Sequence, residues 1–250
     1  MTIITKKWSH AGNMNMKTYK SILAFGESHI AGCELGGHKL LEDFMCRKIS
    51  LEDMDSKTRD LSFPSILAKK LNIPCFNFAL SGGSNERTLR LLPTALKNHP
   101  DSLVIVGYAE RFRKELYFPD KGNFAVRDKN DYVQLGMHLY KGKLSNPINK
   151  LFVEELLRYD KTDYTEITNA MFYIDRSCND ILHIFINGDV YKSNGIIDSN
   201  NILDCQTDGN DGYGNFDNWC KRKGYKQTAM NHYPIEAHSA FADFILLKLR

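Results

Sequence analysis

Ser28 stands just after a short apolar run, at a place where a side chain could take part in a reaction. The run covers residues 21–25, and Gly26 ends it two positions before the serine. Reacting groups in open α/β sheets lie at the carboxyl ends of strands, so a serine here is placed for chemistry. Its hydroxyl becomes a good nucleophile when a base removes its proton. A serine is also a common helix cap, and that interpretation stays open.

His232 is the residue that could supply the base. It lies just before a helix predicted over residues 234–249, which Pro234 opens. If that helix packs beside the first strand, the imidazole can reach the carboxyl edge of the sheet. A lone histidine at a helix start is also often a surface or capping residue. The other histidines do not fall at metal-ligand spacing, so no metal site is predicted.

Short apolar runs predict the strands that would carry these residues. They span residues 21–25, 75–79, 102–106 and 181–186. Helical periodicity is found over residues 62–71, 85–97, 148–159, 164–179 and 234–249. Strands that alternate with helices in this order indicate right-handed βαβ units. The sequence therefore predicts an α/β fold of three layers, α/β/α, with a mainly parallel sheet.

Length and composition predict one domain. The chain has 250 residues, 42% of them hydrophobic. Residues 1–17 are polar and are predicted to form an N-terminal extension. We expect a single domain over residues 18–250, with long insertions at about 119–147 and 188–224, the first of them a possible lid.

The charge balance argues against partners that bind by charge. The 33 basic and 30 acidic residues are interleaved and leave a net charge of +3. We therefore expect neither nucleic acid nor a membrane as a partner. The six cysteines are widely spaced along the sequence, and we expect them to be reduced thiols. The sequence shows no secretion signal and no membrane span, so a cytoplasmic location is expected.

Several short motifs occur in an order typical of one enzyme family. They are Ala-Phe-Gly-Glu-Ser at 24–28, Asn-Phe-Ala-Leu-Ser-Gly-Gly-Ser at 77–84, Leu-Val-Ile-Val-Gly-Tyr-Ala-Glu at 103–110, and His232 followed by His238 and Ala242. These motifs resemble the sequence blocks of the SGNH/GDSL hydrolases. Each is weak alone, but together and in order they are fairly specific. The resemblance covers the chain from Ser21 to its end, apart from the two insertions.

The resemblance implies an acyl-transfer site. Ser28 would attack the acyl carbon, and His232 would take its proton and return it to the leaving alcohol. The amides of Ser28 and Gly82 would bind the oxyanion, and each such donor supplies about 3 kcal/mol. The implied substrate is a small acyl ester or an acylated carbohydrate, with no metal or organic cofactor.

Three positions depart from the family pattern. Ala109 stands where the family has an oxyanion-binding Asn, and Ala229 stands where it has the Asp of the catalytic triad. Glu27 replaces the Asp that usually precedes the serine. The site therefore needs substitutes for an amide donor and for a carboxylate.

Polar residues near the predicted strand ends could supply these substitutes. The side chains that could enter the oxyanion region are Asn85, Tyr108 and Arg111. Asn231 or a backbone carbonyl could orient His232. Glu110 and Arg111 also open a polar run that either forms salt bridges or binds substrate. An arginine there would suit a carboxylate, a phosphate or a sugar acid.

Two other functions fit the same residues. An acyltransferase would use Ser28 and His232 to pass the acyl group to a sugar or nucleoside hydroxyl. A binding protein for a partner or a modified glycan would keep the fold without catalysis, and Ala109 and Ala229 favour that alternative.

Overall fold

The computed structural model of the chain describes residues 5–6, 16–46, 48–49, 51–109, 113–117, 132–135, 165–186, 201–203, 205, 214–228 and 231–249. The strands are β1 (Thr5–Lys6), β2 (Met16–Lys17), β3 (Ser21–Phe25), β4 (Cys75–Asn77), β5 (Ser102–Tyr108), β6 (Lys114–Tyr117), β7 (Tyr132–Leu135) and β8 (Ile181–Phe185). The α-helices are α1 (Ser28–Ala31), α2 (His38–Met45), α3 (Leu51–Thr58), α4 (Phe63–Leu71), α5 (Asn85–Asn98), α6 (Thr165–Ser177), α7 (Phe216–Arg222) and α8 (Ile235–Lys248). A short 3-10 helix (Arg59–Leu61) joins α3 to α4.

The centre of the fold is a sheet of four parallel strands in the order β4, β3, β5, β8. β3 pairs with β5 along its whole length, so that Phe25 lies opposite Val106 at the carboxyl end. Helices cover both faces of the sheet. The predicted three-layer α/β/α fold with a mainly parallel sheet is confirmed.

Alternate residues of the strands pack against different helices. Ile22 and Ala24 of β3 belong to an apolar cluster with residues of α4 and α8, on what we call the α8 face. Leu23 and Phe25 belong to a second cluster with residues of α5 and α6, on the α5 face. Because both faces are buried, each strand is a continuous apolar run rather than an alternation of apolar and polar residues.

The segment between β3 and α4 contains helices that were not predicted from the sequence. Residues 34–60 are rich in polar side chains, yet they include α2, α3 and the 3-10 helix. In α3, the side chains of Met54, Asp55 and Thr58 are buried. A helix that buries polar groups has no apolar period by which to detect it. α7 lies inside the predicted insertion at 188–224, and it differs from α3 in that it buries apolar side chains, those of Phe216, Trp219 and Cys220.

Other predicted segments are described only in part. The helix predicted at 148–159 lies outside the described residues. β7, from the first predicted insertion, pairs antiparallel with β6, and β1 pairs with β2 within the N-terminal extension. Among the described residues, no helix has the length and apolar character needed to cross a membrane.

Candidate active site

Ser28 begins α1 after a tight turn at the end of β3. Gly26 in this turn has a φ of 142°, and a Cβ atom added to it would lie 2.4 Å from the carbonyl oxygen of Gly107 on β5. Glycine is therefore required where the two strand ends meet. Glu27 then caps α1, because its side chain accepts a hydrogen bond from the amide of His29. These constraints fix Ser28 at the carboxyl end of the sheet.

Glu27 is a buried carboxylate that gathers the polar groups around Ser28. It accepts hydrogen bonds from the Ser28 hydroxyl at 2.5 Å, from His29 Nδ1 at 2.8 Å and from the Arg113 guanidinium at 3.3 Å. Burial alone would raise the pKa of Glu27, but the charges and hydrogen bonds of these neighbours hold that pKa well below its usual range. Glu27 is thus ionised near neutral pH, and so acidic a group is a weak base toward a serine hydroxyl.

His232 is oriented by Glu34, a carboxylate that the sequence prediction missed. The distance between His232 Nδ1 and Glu34 Oε2 is 2.8 Å, and both side chains are buried. The Thr228 hydroxyl donates to the same oxygen at 2.5 Å, and the Thr228 amide donates to the His232 carbonyl at 2.8 Å. An ionised carboxylate only accepts hydrogen bonds, so Nδ1 carries a proton, and in the neutral imidazole Nε2 then keeps a lone pair. His232 can therefore act as a base through Nε2.

Glu34 lies in the turn after α1 and has a φ of 66°. This left-handed conformation is uncommon for a residue other than glycine, and it often marks a functional position. Glu34, rather than Asn231 or a backbone carbonyl, meets His232 Nδ1. Ala229 lies outside the described residues. The available sequence signal was an acidic residue shortly after the candidate nucleophile.

His29, in the N-terminal part of the chain, contacts His232, in the C-terminal part. It follows Ser28 directly, and the centroid of its ring lies 4.8 Å from that of His232. Its Nε2 is buried and has no hydrogen-bond partner within the described residues. Ser28 and His232 are both buried, and both are neighbours of His29, Ser28 along the chain and His232 through the ring contact. The Ser28 hydroxyl bonds to Glu27, however, and among the described residues it makes no hydrogen bond to His232.

Gly82 lies in a turn beside the Ser28 turn. The Leu80 amide donates to the Gly26 carbonyl at 3.2 Å, and the Gly83 amide donates to the Leu80 carbonyl at 2.7 Å. Gly82 has a φ of 76°, a conformation that favours glycine. Within the described part of the chain, the amides of Gly82 and Ser28 have no hydrogen-bond acceptor. Neither amide is committed to a partner there, as a donor to an oxyanion must not be.

Asn85, the first residue of α5, holds the end of β5. Its Nδ2 donates to the Ala109 carbonyl at 3.3 Å, and its Oδ1 accepts from the Ala109 amide at 3.1 Å. Asn85 therefore fixes the backbone at Ala109. One N–H of its side-chain amide is left over from these two bonds.

Tyr108 points to the opposite side of the sheet from Ser28 and His232. Its ring belongs to the α5-face cluster, and its hydroxyl lies 2.8 Å from His183 Nδ1. His183 Nε2 in turn lies 3.0 Å from Asp175 Oδ1. Burial raises the pKa of Tyr108 well above its usual range, so the phenol is neutral. The structure therefore does not bring Tyr108 to Ser28, whose flanking residues pack on the α8 face.

The polar run after β5 is described in part. Two residues of this run, Glu110 and Arg111, lie outside the described residues. Arg113 bonds to Glu27, and Glu115 forms a two-point ion pair with Arg90 of α5, with N–O distances of 2.7 Å and 2.9 Å. These two contacts attach the segment around β6 to the turn after β3 and to α5.

Acidic, histidine and cysteine residues form no metal-binding group of three or more in the part of the chain that the structure describes. Comparisons of the chain with protein-family models and with curated proteins gave no match.

Proposed function

We propose that this protein is a serine hydrolase of the SGNH type, which cleaves a small acyl ester or an acylated carbohydrate. The observation that carries the proposal is the 2.8 Å contact between His232 Nδ1 and Glu34 Oε2. It supplies the oriented base that a serine hydroxyl requires, in place of the family's Asp. The open amides of Ser28 and Gly82 supply the oxyanion donors.

The reaction uses the free nitrogen of His232. The Ser28 hydroxyl turns from Glu27 to His232 Nε2 and gives up its proton as Oγ attacks the acyl carbon. The amides of Ser28 and Gly82 bind the negative carbonyl oxygen that forms. The bond between the acyl carbon and the alcohol oxygen then breaks, and His232 returns the proton to the alcohol. Water, activated by the same Nε2, hydrolyses the acyl-serine.

The hydrogen bond from Ser28 to Glu27 favours a second candidate, a binding protein without catalysis. In that candidate the hydroxyl stays at 2.5 Å from the Glu27 carboxylate, and the site holds its ligand uncleaved. In the proposed hydrolase, a change of the Ser28 side-chain rotamer exchanges Glu27 for His232. Serine side chains move readily among their staggered rotamers, and substrate binding can select one of them.

Hydrolysis of p-nitrophenyl acetate distinguishes the two candidates. We expect turnover by the wild-type chain and a loss of at least about 1,000-fold in kcat/KM in Ser28→Ala and in His232→Ala. Ser65→Ala removes another buried serine, on α4, and should keep wild-type turnover. Turnover that survives Ser28→Ala would contradict the proposal, and no turnover by the wild-type chain would favour the binding protein.

A further inference from the structure

Asp55 is a buried carboxylate that binds the neighbour of Gly82. It lies on α3, is 0% exposed, and accepts hydrogen bonds of 2.6 Å from both the amide and the hydroxyl of Ser81. Ser81 immediately precedes Gly82. Each oxygen of Asp55 therefore binds the turn that presents the Gly82 amide.

Two arginines fix the chain that enters this turn. Arg59 Nη2 donates to the Ala79 carbonyl at 3.0 Å, and Arg87 Nη2 donates to the Phe78 carbonyl at 3.4 Å. The backbone of residues 78–81 is thus held by side chains from α3, the 3-10 helix and α5. In contrast, the amide that follows, that of Gly82, has no acceptor among the described residues.

Burial disfavours the charged form of Asp55, and the groups around the carboxylate stabilise that form. Burial raises the pKa of Asp55, the hydrogen bonds from Ser81 and the charges of Arg59 and Arg87 offset part of this effect, and the resulting pKa is about 6. The Cys33 thiol nearby stays protonated, because burial raises its pKa to about 12. A buried ionisable group kept where its charged form is disfavoured is typical of functional sites.

We propose that Asp55 is a positioning residue of the oxyanion site, which fixes Ser81 so that the Gly82 amide points at the oxygen of the bound ester. The inference rests on the proposed function, since an oxyanion forms only if Ser28 attacks. Without Asp55, the turn would keep the hydrogen bond between Gly83 and Leu80 but lose its fixed orientation. A misplacement of about 1 Å is enough to cost a large part of a rate enhancement.

Asp55→Asn tests this role with little change in shape. The asparagine oxygen can still accept from the Ser81 amide, but its amide nitrogen can bind the Ser81 hydroxyl only by donating to it, so the charge-assisted hydrogen bonds from Ser81 are lost. We expect kcat for p-nitrophenyl acetate to fall about 10- to 100-fold, while KM changes less than about twofold. Inhibition by phenylboronic acid, which forms a tetrahedral adduct with serine, should weaken by a similar factor.

Two further variants accompany this test. Asp53→Asn makes the same change at an exposed position of α3 and should keep wild-type kcat and inhibition. Ser81→Ala removes one hydrogen bond to Asp55 and should lower kcat about 3- to 10-fold at nearly constant KM. Circular dichroism spectra establish that each variant is folded.

The outcomes separate this inference from the proposed function. Wild-type kcat and inhibition in folded Asp55→Asn, with turnover that still depends on Ser28, would overturn the role of Asp55 alone. Turnover independent of Ser28, or no turnover, would overturn the proposed function and this inference with it. If Asp55→Asn does not fold, Ser81→Ala decides: unchanged kcat overturns the inference, and a loss of kcat at constant KM supports it.

Discussion

The candidate site is built from two pairs, each of a histidine and a glutamate. His29 and Glu27 meet through Nδ1 at 2.8 Å, and His232 and Glu34 meet through Nδ1 at the same distance. The first pair also holds the Ser28 hydroxyl, while the second leaves a lone pair on His232 Nε2. We therefore expect the charge of Glu34 to affect the reaction rate and the charge of Glu27 to affect mainly stability.

Glu34→Gln should reduce catalysis without a comparable loss of substrate binding. The glutamine keeps the size of the side chain but lacks the charge that stabilises His232 after it takes the serine proton. We expect kcat for p-nitrophenyl acetate to fall about 100- to 10,000-fold. The control is Glu236→Gln, the same change at an exposed position of α8. A kcat within about twofold of wild type in Glu34→Gln would contradict the role of Glu34.

Glu27→Gln should lower stability in a way that depends on pH. The variant leaves the largely buried Arg113 without its carboxylate, at a cost of about 3 kcal/mol near neutral pH. The folded pKa of Glu27 lies well below its ordinary value of 4.5, so its charge stabilises the fold above that value and this contribution is lost as pH falls. Urea denaturation of both chains over the acid range measures the difference.

The direction in which the stability difference changes with pH tests whether Glu27 is charged in the folded chain. The stability difference between the wild-type chain and Glu27→Gln should be constant at neutral pH and shrink as the pH falls below 4.5. Glu236→Gln should show no comparable trend. A difference that grows toward acid pH would mean that Glu27 is protonated in the folded chain, contrary to the network of hydrogen bonds around it.

At the scale of elements, the site depends on a close contact between β3, β5 and α1. A Cβ atom on Gly26 would lie 2.4 Å from the Gly107 carbonyl oxygen, and one on Gly107 would lie 2.4 Å from Ile30 Cγ1. The two glycines therefore allow α1 to pack onto the strand ends. This contact places Ser28 at the carboxyl end of the sheet.

Gly26→Ala should disrupt this contact. The new methyl group would collide with the backbone of β5 and would also require a positive φ, so we expect a loss of about 3 kcal/mol or more in unfolding free energy. Gly37→Ala is the matched control, because Gly37 also has a positive φ but nothing lies within 4 Å of an added Cβ. It should cost about 1 kcal/mol. Equal losses in the two variants would contradict the proposed packing.

The apolar elements are the part of the fold that could be predicted from the sequence. β3, β5 and β8 are short apolar runs, and α4 begins at Phe63 and Pro64 after Ser62, as the pattern predicts. α3 could not be predicted, because the carboxylate of Asp55 is part of what it buries. Polar anchoring of this kind leaves no period in the sequence.

At the scale of the whole molecule, the site joins distant parts of the chain. Ser28 and Gly82 follow β3 and β4, and His232 precedes α8, an arrangement that the order of the elements indicates. The pair of Glu34 and His232 spans 198 positions, and no local pattern links the two residues. The pair could not be predicted from the sequence, because side-chain pairing depends on how the turn after α1 meets the segment before α8.

The position at which a fluorophosphonate probe attaches tests most directly whether these distant residues form one active site. Mass spectrometry of the digested chain should find a single adduct, on the peptide that contains Ser28. Labelling should be lost in Ser28→Ala and should slow strongly in His232→Ala and Glu34→Gln. An adduct on another residue, labelling at an unchanged rate without His232, or no adduct on the folded chain would contradict the proposed hydrolase.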